Sequence, residues 1–336
     1  MATYNGAKYI QDQLDSFICQ TRLPDEVVIS DDGSADSTLH ILERFKEKAP
    51  FTVIILKGRE NLGVAGNFDR ALRAITGELV FLSDQDDFWF QSKLETMETI
   101  AESHPEAQAI ICDAAIADAN LNDIGLTKLG QARSAGLSST NFHMGCCAAF
   151  RRSLLALVLP IPRRTDKHHQ IVYLSHDAWM IKVSEALGTK LIIEDVLQYY
   201  RRHGGNLSGS VSSRLHKANR LKKFAGELSF AIGKAIRLTR GKYISHDHDR
   251  LMYTRMFLES AQEVADRHSS PPEAFGRFVR ELRQRAEVAV QRERILKYER
   301  IRRIPLVVAL WRNGGYRQYH GFYSGISDLV SPKNAD

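Results

Sequence analysis

Acidic side chains follow two short apolar runs of the chain, at Asp31-Asp32 and at Asp84-Gln85-Asp86-Asp87. Carboxylates one residue apart on a turn can hold a hard divalent cation, which neutralises the phosphate oxygens of a nucleotide. A helix N-cap is the alternative for one residue of the first pair, and a solvated acidic turn is the alternative for the second string. The aromatic residues that follow directly, Phe88-Trp89-Phe90, favour a binding site over a freely solvated loop.

Two further strings carry groups suited to catalysis. In His176-Asp177-Ala178-Trp179, Asp177 has the character of a general base, because a carboxylate beside an aromatic wall is partly desolvated and its pKa rises toward neutral pH. An N-cap at Asp177 and an ordinary core position for Trp179 are favoured when the tetrapeptide is taken alone. In Arg202-His203-Gly204-Gly205-Asn206, His203 can bind a metal or contact a pyrophosphate, and a basic surface loop is the alternative.

The apolar pattern before residue 113 predicts strands and helices in alternation. Strands are expected at 27–29, 52–56, 79–82 and 108–112, among helices over 8–21, 35–48, 64–76 and 91–103. This order requires crossover connections, so we expect an α/β fold with a mainly parallel sheet covered by helices on both faces. Ligands bind such sheets at the carboxyl ends of the strands, so all five carboxylates of the two acidic strings are expected on one rim.

Charge divides the chain into two chemically different halves. Residues 211–336 contain 25 basic and 13 acidic residues, a net charge of +12, whereas residues 1–210 have a net charge of −6. We therefore predict a catalytic domain over 1–210 and a basic helical region over 211–336, with helices over 214–240, 247–268 and 272–303 and Pro305 closing the last. Arg-rich helices with interspersed Leu, Phe and Trp suit an anionic membrane surface, and a soluble bundle or a dimer surface is the alternative.

Composition excludes several classes of protein. No apolar run approaches the ~18 residues that span a bilayer, and a hydrophobic content of 43% excludes a disordered chain. Four cysteines without a CxxC motif, and no signal-peptide pattern, predict a reducing, cytoplasmic compartment, with Cys146 and Cys147 as buried thiols. The excess of basic over acidic residues is confined to residues 211–336 and no nucleic-acid motif occurs, so we expect no nucleic-acid partner.

The order of the motifs resembles family 2 glycosyltransferases of the GT-A fold, in particular rhamnosyltransferase-like members that build bacterial surface polysaccharides. The strings that carry the resemblance span residues 1–210 in the family's order: Ala2-Thr3-Tyr4-Asn5-Gly6, Val28-Ile29-Ser30-Asp31-Asp32-Gly33-Ser34, Asn61-Leu62-Gly63, Ser83-Asp84-Gln85-Asp86-Asp87, Met144-Gly145-Cys146, His176-Asp177-Ala178-Trp179 and Arg202-His203-Gly204-Gly205-Asn206. The resemblance implies an inverting, metal-dependent transferase that moves a sugar from a nucleotide-diphosphate sugar to a saccharide or polyprenyl-linked acceptor, and rhamnose is the sugar that it suggests.

The resemblance also implies a role for each site residue. The nucleotide of the donor is expected against Thr3, Tyr4, Asp31, Asp32 and Asn61. Asp84 and Asp86 match a DxD motif, in which Asp86 ligates the Mg²⁺ or Mn²⁺ that bridges the donor diphosphate, and His203 contacts the diphosphate or completes the metal shell. Asp177 matches the base that deprotonates the acceptor hydroxyl, and Trp179 is expected in the acceptor pocket. The implied place of work is the inner face of the bacterial plasma membrane.

The N-terminus departs from the pattern that the resemblance implies. Family members carry several apolar residues of a first strand before the Thr-Tyr-Asn string, whereas this sequence starts at Met1-Ala2. The absence of a central strand exposes the edges of its neighbours, so we expect added upstream residues to raise thermal stability and donor affinity. Two other functions stay open: a nucleotidyltransferase, which also uses paired carboxylates and Mg²⁺, and a non-catalytic nucleotide- or nucleic-acid-binding protein.

Overall fold

The computed structural model describes residues 1–135, 142–165, 171–206, 246–267, 273–318, 325, 328 and 329. The chain folds into two units, Met1–Ser213 with Asp266–Phe275, and Arg214–Ala265 with Gly276–Asp336. The strands of the first unit are β1 (Ala2–Thr3), β2 (Glu26–Asp31), β3 (Thr52–Lys57), β4 (Leu79–Phe81), β5 (Phe88–Trp89), β6 (Ala109–Ala117), β7 (Asp123–Thr127), β8 (Ala148–Arg151), β9 (Arg163–Thr165), β10 (Ile171–Tyr173) and β11 (Lys190–Arg201).

The helices of the same unit alternate with the first strands, as the apolar pattern predicts. They are α1 (Ile10–Ile18), α2 (Thr38–Lys48), α3 (Gly63–Leu72), α4 (Lys93–Ser103), α5 (Lys128–Ser134), α6 (Arg152–Val158) and α7 (His176–Ala186). Helix α1 shows why: Ile10, Leu14 and Phe17 recur at helical spacing and are buried in a core shared with β2 and α2. The α/β fold class predicted from the sequence is confirmed.

The strand pairing differs from the mainly parallel sheet that we expected. Strands β1, β2 and β3 form a parallel three-stranded sheet, but the six-stranded sheet, in the order β4-β8-β6-β11-β5 with β7 beside β6, is mixed. Among the neighbouring strands described in this sheet, β6 and β11 are the only parallel pair. Strand β8 pairs antiparallel with both β4 and β6. The reason is that the second half of the unit contains short connections, such as the turn between β6 and β7. A short connection can join only antiparallel strands, because parallel strands need a long crossover.

A cavity of about 350 Å³ separates the edges of β2 and β4. Apolar side chains of both strands and of α3 line it, among them Val28, Val80 and Phe68, and Met1 borders it as well. The Met1 ammonium group donates a hydrogen bond of 2.8 Å to the Val28 carbonyl, which continues the β1–β2 ladder by one residue. Beyond that residue, the edge of β2 that faces the cavity has no strand partner among the described residues.

The second unit is helical where the structure describes it, with α8 (His246–Arg267), α9 (Glu273–Leu296) and α10 (Arg300–Arg312). Our expected helix over 272–303 is thus two helices, and Pro305 lies inside α10 rather than after its end. Pro305 is the sixth of the thirteen residues of α10, so it lacks the N–H that would donate to the Ile301 carbonyl, and the helix continues without that hydrogen bond. The predicted helix over 214–240 lies outside the described residues. No described helix is long and apolar enough to cross a bilayer.

Candidate active site

Asp31 closes the turn that follows β2. Its carboxylate accepts hydrogen bonds from the Ser34 amide (2.9 Å), the Ser34 hydroxyl (2.6 Å), the Gly33 amide (3.2 Å) and the Thr3 hydroxyl (3.0 Å). Gly33 has φ of +83°, a left-handed conformation in which glycine carries no steric penalty. Both carboxylate oxygens are occupied, so Asp31 holds the loop and the nearby Thr3 in place.

Asp32 and Asn61 meet at the start of α3. The Asp32 carboxylate accepts the Leu62 and Gly63 amides, both at 2.9 Å, and the Asn61 side chain accepts the Gly63 amide at 3.1 Å. These bonds satisfy free N–H groups at the N-terminus of a helix, where an acidic group is electrostatically favoured. The structure therefore brings Asp32 and Asn61 together and ties the end of β2 to α3.

Arg70 and Asn67, two residues of α3 that the motifs did not include, hydrogen-bond to β1, to the end of β2 and to each other. Arg70 donates to the Ser30 hydroxyl and to the Asp31 carbonyl, both at 2.6 Å, and Asn67 donates to the Thr3 carbonyl at 3.1 Å. Asn67 also accepts from Arg70 at 2.9 Å. The sequence carries one sign of these contacts: Asn67 and Arg70 are polar and three residues apart. That spacing places two residues on the same face of a helix.

Gln85 joins the β1 loop to the second acidic string. Its side-chain amide accepts a hydrogen bond from the Tyr4 amide (2.9 Å) and donates one to the Tyr4 carbonyl (3.1 Å), so the main chain of Tyr4 is held on both sides. The Tyr4 side chain is 48% exposed. The predicted nucleotide residues on β1 and the DxD string are thus brought to the same edge of the molecule.

Asp86 is bonded to the loop after β11. Its Oδ2 atom lies 2.8 Å from His203 Nε2 and 3.3 Å from Asn206 Nδ2. His203 Nδ1 accepts the Gly205 amide at 3.1 Å, which places the ring proton on Nε2, where it is donated to Asp86. The His203 ring packs on Tyr9, with centroids 4.3 Å apart. The two predicted metal ligands therefore contact each other directly, and His203 must give up the bond to Asp86 before Nε2 can ligate a metal.

Asp84 and Asp87 form a tight cluster with Cys146. One potential ligand atom from each of the three residues lies within 4.8 Å of the other two. Burial and then the charges of Asp87, Asp86 and Asp177 raise the pKa of Asp84 well above its usual range. Burial and the charge of Asp86 raise the pKa of Asp87 to about 7. Carboxylates that repel each other in this way are stabilised by a cation, so Asp84 and Asp87 fit a hard divalent ion, whereas the Cys146 thiol is a soft ligand that such an ion does not prefer.

Asp177 lies in the first turn of α7, close enough to Asp84 to raise the pKa of that residue. Burial raises the pKa of Asp177, but the neighbouring His176, the Ser175 hydroxyl and the Ala178 amide outweigh burial and hold it below its ordinary value. Our expectation of a raised pKa is therefore wrong in direction. The hydrogen bonds that stabilise the ionised form are local to the helix start and could not be read from the neighbouring aromatic residue. Asp177 is ionised at neutral pH and can accept a proton.

Trp179 lies in the core rather than at the surface of the site. Its side chain is 1% exposed, and the indole N–H donates to the Val158 carbonyl at 3.1 Å. The ring presents no surface to an acceptor in this structure, so the alternative of an ordinary core residue describes its position. The predicted burial of Cys146 and Cys147 is confirmed.

Comparison with known proteins identifies the family. Residues 1–158 match the family model described as "Glycosyl transferase family 2". The match covers 158 of 336 residues, so residues 1–158 carry a glycosyl transferase family 2 domain. The GT-A fold expected from the resemblance is confirmed, because the chain aligns over 98% of its length, at 15% identity and a TM-score of 0.52, with 87% of the crystal structure of TarS 1-349 from S. aureus. Membership in this family makes the domain one of a class of transferase enzymes.

The curated relatives match parts of the chain. An uncharacterised glycosyltransferase, alr2836 from Nostoc sp., is 28% identical over 63% of this chain and 66% of its own length. The dTDP-rhamnosyl transferase RfbG from Shigella flexneri is 40% identical over 28% of this chain and 34% of its own length. The chain thus spans less than two thirds of the length of these relatives.

A buried lysine of the transferase domain was missed from the sequence. Lys93, the first residue of α4, is 1% exposed; its ammonium group contacts the Gln198 side chain and lies 3.3 Å from the Cys146 carbonyl and 4.0 Å from the Trp89 ring centroid. Gln198 in turn donates to Asp87 at 3.1 Å. A lone lysine at a helix start carries no sequence signal for burial, because its partners come from distant segments of the chain.

Proposed function

We propose that the chain transfers a sugar from a nucleotide-diphosphate sugar to a hydroxyl group of a saccharide or lipid-linked acceptor, with inversion at the anomeric carbon. The observation that carries the proposal is that Asp86, Asp87 and Asp177 all lie close enough to Asp84 to raise its pKa, on a domain of glycosyl transferase family 2. A single displacement needs a base for the acceptor and stabilisation of charge on the leaving group. This cluster supplies the residues for both.

The nucleotide of the donor is assigned to the corner formed by Thr3, Tyr4, Asp32 and Asn61. Tyr4 offers an exposed ring for stacking, and the carboxylate and amide oxygens at the start of α3 can accept hydrogen bonds from ribose hydroxyls. Asp31 acts through the loop it closes. TarS was crystallised in complex with UDP-GlcNAc and shares the fold at 15% identity and a TM-score of 0.51, which supports a donor of the nucleotide-sugar class.

A divalent ion, Mg²⁺ or Mn²⁺, is assigned to Asp84 and Asp86, with Asp87 beside them. When bound, such an ion neutralises charge on the diphosphate of the donor. His203 donates its Nε2 proton to Asp86, so we assign His203 to orienting that carboxylate. Once this hydrogen bond is released, His203 is also assigned to contact the diphosphate or the metal. The mutual repulsion of the carboxylates supports a cation at this position.

Asp177 is assigned as the general base. The proton of the acceptor hydroxyl passes to the Asp177 carboxylate, and the acceptor oxygen forms a bond to the anomeric carbon. The bond between that carbon and the diphosphate oxygen breaks on the opposite face, and the nucleoside diphosphate leaves with the electron pair. Asp177 is ionised at neutral pH, as a proton acceptor must be, and its lowered pKa makes it a weaker base than a carboxylate whose pKa lies near neutrality.

The donor sugar is assigned to rhamnose on a thymidine diphosphate carrier. The support is the similarity to the dTDP-rhamnosyl transferase RfbG, which is 40% identical over 99 residues. We accordingly place the reaction in bacterial surface polysaccharide synthesis, in the cytoplasm at the inner face of the plasma membrane.

The test is release of nucleoside diphosphate from a panel of nucleotide sugars carrying thymidine, uridine or guanosine. We expect turnover with dTDP-rhamnose that requires Mg²⁺ or Mn²⁺, and a loss of at least 100-fold in kcat for Asp86→Ala and for Asp177→Asn, since removal of a catalytic proton acceptor typically costs about 10²–10⁴-fold. Asp195→Asn, at an exposed position of β11, is the matched control and should retain activity. Normal turnover in both site variants would refute the site assignment.

A further inference from the structure

Helix α10 carries two apolar stripes, of which one is buried and one is exposed. Val307 and Leu310 pack in a cluster with Ile295 and Tyr316, which accounts for one side of the helix. Five other apolar side chains of the helix are exposed: Ile301 by 79%, Ile304 by 50%, Leu306 by 37%, Val308 by 40% and Trp311 by 53%. Leu306 lies on a different side of the helix from the other four, and we call Ile301, Ile304, Val308 and Trp311 the α10 outer face.

The spacing of the outer face places it on one side of the helix. Ile301, Ile304, Val308 and Trp311 follow one another at intervals of three, four and three residues, and at about 100° per residue they span an arc of roughly 80°. Exposed apolar side chains scattered singly are normal on a protein surface, but a continuous row of large ones marks an interaction site. The α10 outer face is such a row.

The charges beside the α10 outer face favour an anionic partner. Within residues 297–312, Lys297, Arg300, Arg302 and Arg312 are exposed bases, and Glu299 is the single acidic residue. A second copy of the chain would bring the same excess of positive charge against itself, and like charges at close range are destabilising. An anionic surface is attracted, and a surface that also accepts apolar side chains and an indole ring at its boundary is a lipid bilayer.

We propose that the α10 outer face docks in the plane of an anionic bilayer. Ile301, Ile304 and Val308 enter the boundary of the acyl chains, Trp311 lies at the level of the headgroups, and Arg300 and Arg312, beside the two edges of the row, contact the lipid phosphates. The helix has 13 residues, about 20 Å at 1.5 Å per residue, so it lies on the membrane and does not cross it. This inference stands independently of the proposed sugar transfer, because it concerns a surface of the helical unit.

Co-sedimentation of the full chain with vesicles tests the proposal. We expect binding to vesicles of phosphatidylcholine with phosphatidylglycerol, and little binding to phosphatidylcholine alone. The double substitution Ile301→Ser with Ile304→Ser should lower the partition coefficient at least tenfold. The matched control is Ile124→Ser with Leu126→Ser, since both side chains are 49% exposed on β7, far along the chain. Arg300→Gln and Arg312→Gln, beside the two edges of the row, should each lower binding about fivefold, which corresponds to about 1 kcal/mol per basic residue near the surface, and Arg302→Gln, on the other side of the helix, should have a smaller effect.

Tryptophan fluorescence gives a second readout that does not depend on activity. The chain has three tryptophans, and Trp89 and Trp179 are 5% and 1% exposed, so a blue shift on adding anionic vesicles reports Trp311. The shift should vanish in Trp311→Phe. Equal binding to neutral and anionic vesicles, or unchanged binding of the Ile301 and Ile304 double variant, would overturn the proposal. A dimer in solution that this double variant converts to a monomer would instead identify a second copy as the partner.

Discussion

Gly145 lies directly against the side chain of Asp177. A Cβ atom at position 145 would lie 2.7 Å from Asp177 Cβ and 3.0 Å from Asp177 Oδ2, closer than real Cβ atoms come. The glycine of the Met144-Gly145-Cys146 string is thus needed for space, because φ at this position is not in the left-handed region. The assigned base is positioned by a residue distant from it in the sequence.

Gly145→Ala should therefore displace Asp177 and lower turnover while donor binding is retained. An error of about 1 Å in the placement of a reacting group costs about 100-fold in rate, so we expect a decrease of 10- to 100-fold in kcat and an unchanged KM for the donor. Gly77→Ala is the control, since its Cβ atom would meet nothing closer than 3.9 Å. Equal kcat values for Gly145→Ala and the parent would show that Asp177 is not held by this contact.

The raised pKa values of Asp84 and Asp87 predict that metal binding stabilises the fold more at higher pH. Because the folded pKa of Asp87 is raised from 3.8 to about 7, the folded state holds this proton between pH 4 and 7 and loses stability as the pH rises through that window. A divalent cation binds the ionised carboxylates and offsets the loss. The increase in Tm caused by Mg²⁺ should be small at pH 5.5 and larger at pH 8.

Differential scanning fluorimetry at both pH values, with Mg²⁺ or with EDTA, checks this expectation. Burial lowers the pKa of the Met1 amine to about 5, which by itself makes stability rise with pH between 5 and 8, so the comparison uses the difference between the two additives at each pH. Asp84→Asn should remove most of the difference, and Asp195→Asn should leave it intact. A difference in Tm that is independent of pH would contradict the assignment of the cation to these carboxylates.

Lys93, the first residue of helix α4, is linked to the acidic string 84–87 through Gln198. The ammonium group is buried against Trp89, the Cys146 carbonyl and Gln198, and Gln198 donates to Asp87. Lysine is fully buried only when its charge is compensated, and the carboxylates above it provide the compensation. The first residue of a helix thus stabilises the charge of a loop that precedes it in the sequence.

Lys93→Met should destabilise the domain and lower the Mg²⁺ concentration that half-saturates activity, because the ammonium charge that competes with the cation near Asp87 is removed. Loss of a buried hydrogen-bond donor leaves the Gln198 and Cys146 acceptors unsatisfied, at a cost of about 1–3 kcal/mol each. Chemical denaturation measures the free energy of unfolding, and a Mg²⁺ titration of activity measures the second effect. Lys48→Met, at an exposed position of α2, is the control. If Lys93→Met has the same stability and the same Mg²⁺ requirement as the parent, Lys93 has no part in the site.

Elements with strong apolar runs were predictable, and elements defined by their partners were not. Strand β2 over Glu26–Asp31 and strand β3 over Thr52–Lys57 match the expected runs to within two residues. Strand β6 extends to Ala117, five residues beyond our expectation, because its alanines give little periodicity although all nine residues are buried. Strand β7 is mostly exposed, and its two alternating apolar residues, Ile124 and Leu126, are too short a pattern to predict a strand. Strand direction in the mixed sheet depends on connections that the local pattern does not report.

At the scale of the site, the sequence predicted which residues take part better than it predicted the neighbours that surround them. Asp84, Asp86, Asp177 and His203 were singled out by residue type and spacing, and the structure brings them to one region. The neighbours that set their properties were not: the pKa of Asp177 depends on Ser175 and Ala178, and the placement of Asp87 depends on Gln198. Each is a tertiary or backbone contact, and a side chain's environment cannot be derived from its own string.

At the scale of the whole molecule, the cavity between β2 and β4 predicts that an added strand would stabilise the first unit. A segment of about five β-branched residues joined before Met1 has the length of a typical strand and can pair with the open edge of β2. Each valine that becomes buried contributes about 1.5 kcal/mol, and 1 kcal/mol raises Tm by about 2–4 °C in a domain of this size. A Gly-Ser segment of equal length is the control.

Thermal unfolding and nucleotide binding, measured on the two extended chains, check this prediction. The β-branched extension should raise Tm and tighten binding of the nucleoside diphosphate, because β1 carries Thr3 and leads into Tyr4, and the Gly-Ser extension should do neither. Equal melting temperatures for both extended chains would show that the cavity does not accept a strand.

The position of Met1 at this cavity bears on how the protein is handled in the laboratory. The buried Met1 amine bonds to Val28, and Tyr4 is only three residues away, so any affinity tag fused at the N-terminus emerges beside the assigned nucleotide site. Fusion converts the Met1 amine into a peptide amide, and an apolar tag residue can occupy the cavity, so we expect apparent donor affinities to change with the cloning vector. Kinetic comparisons between variants should therefore share one N-terminal leader, or have it cleaved to the same residue.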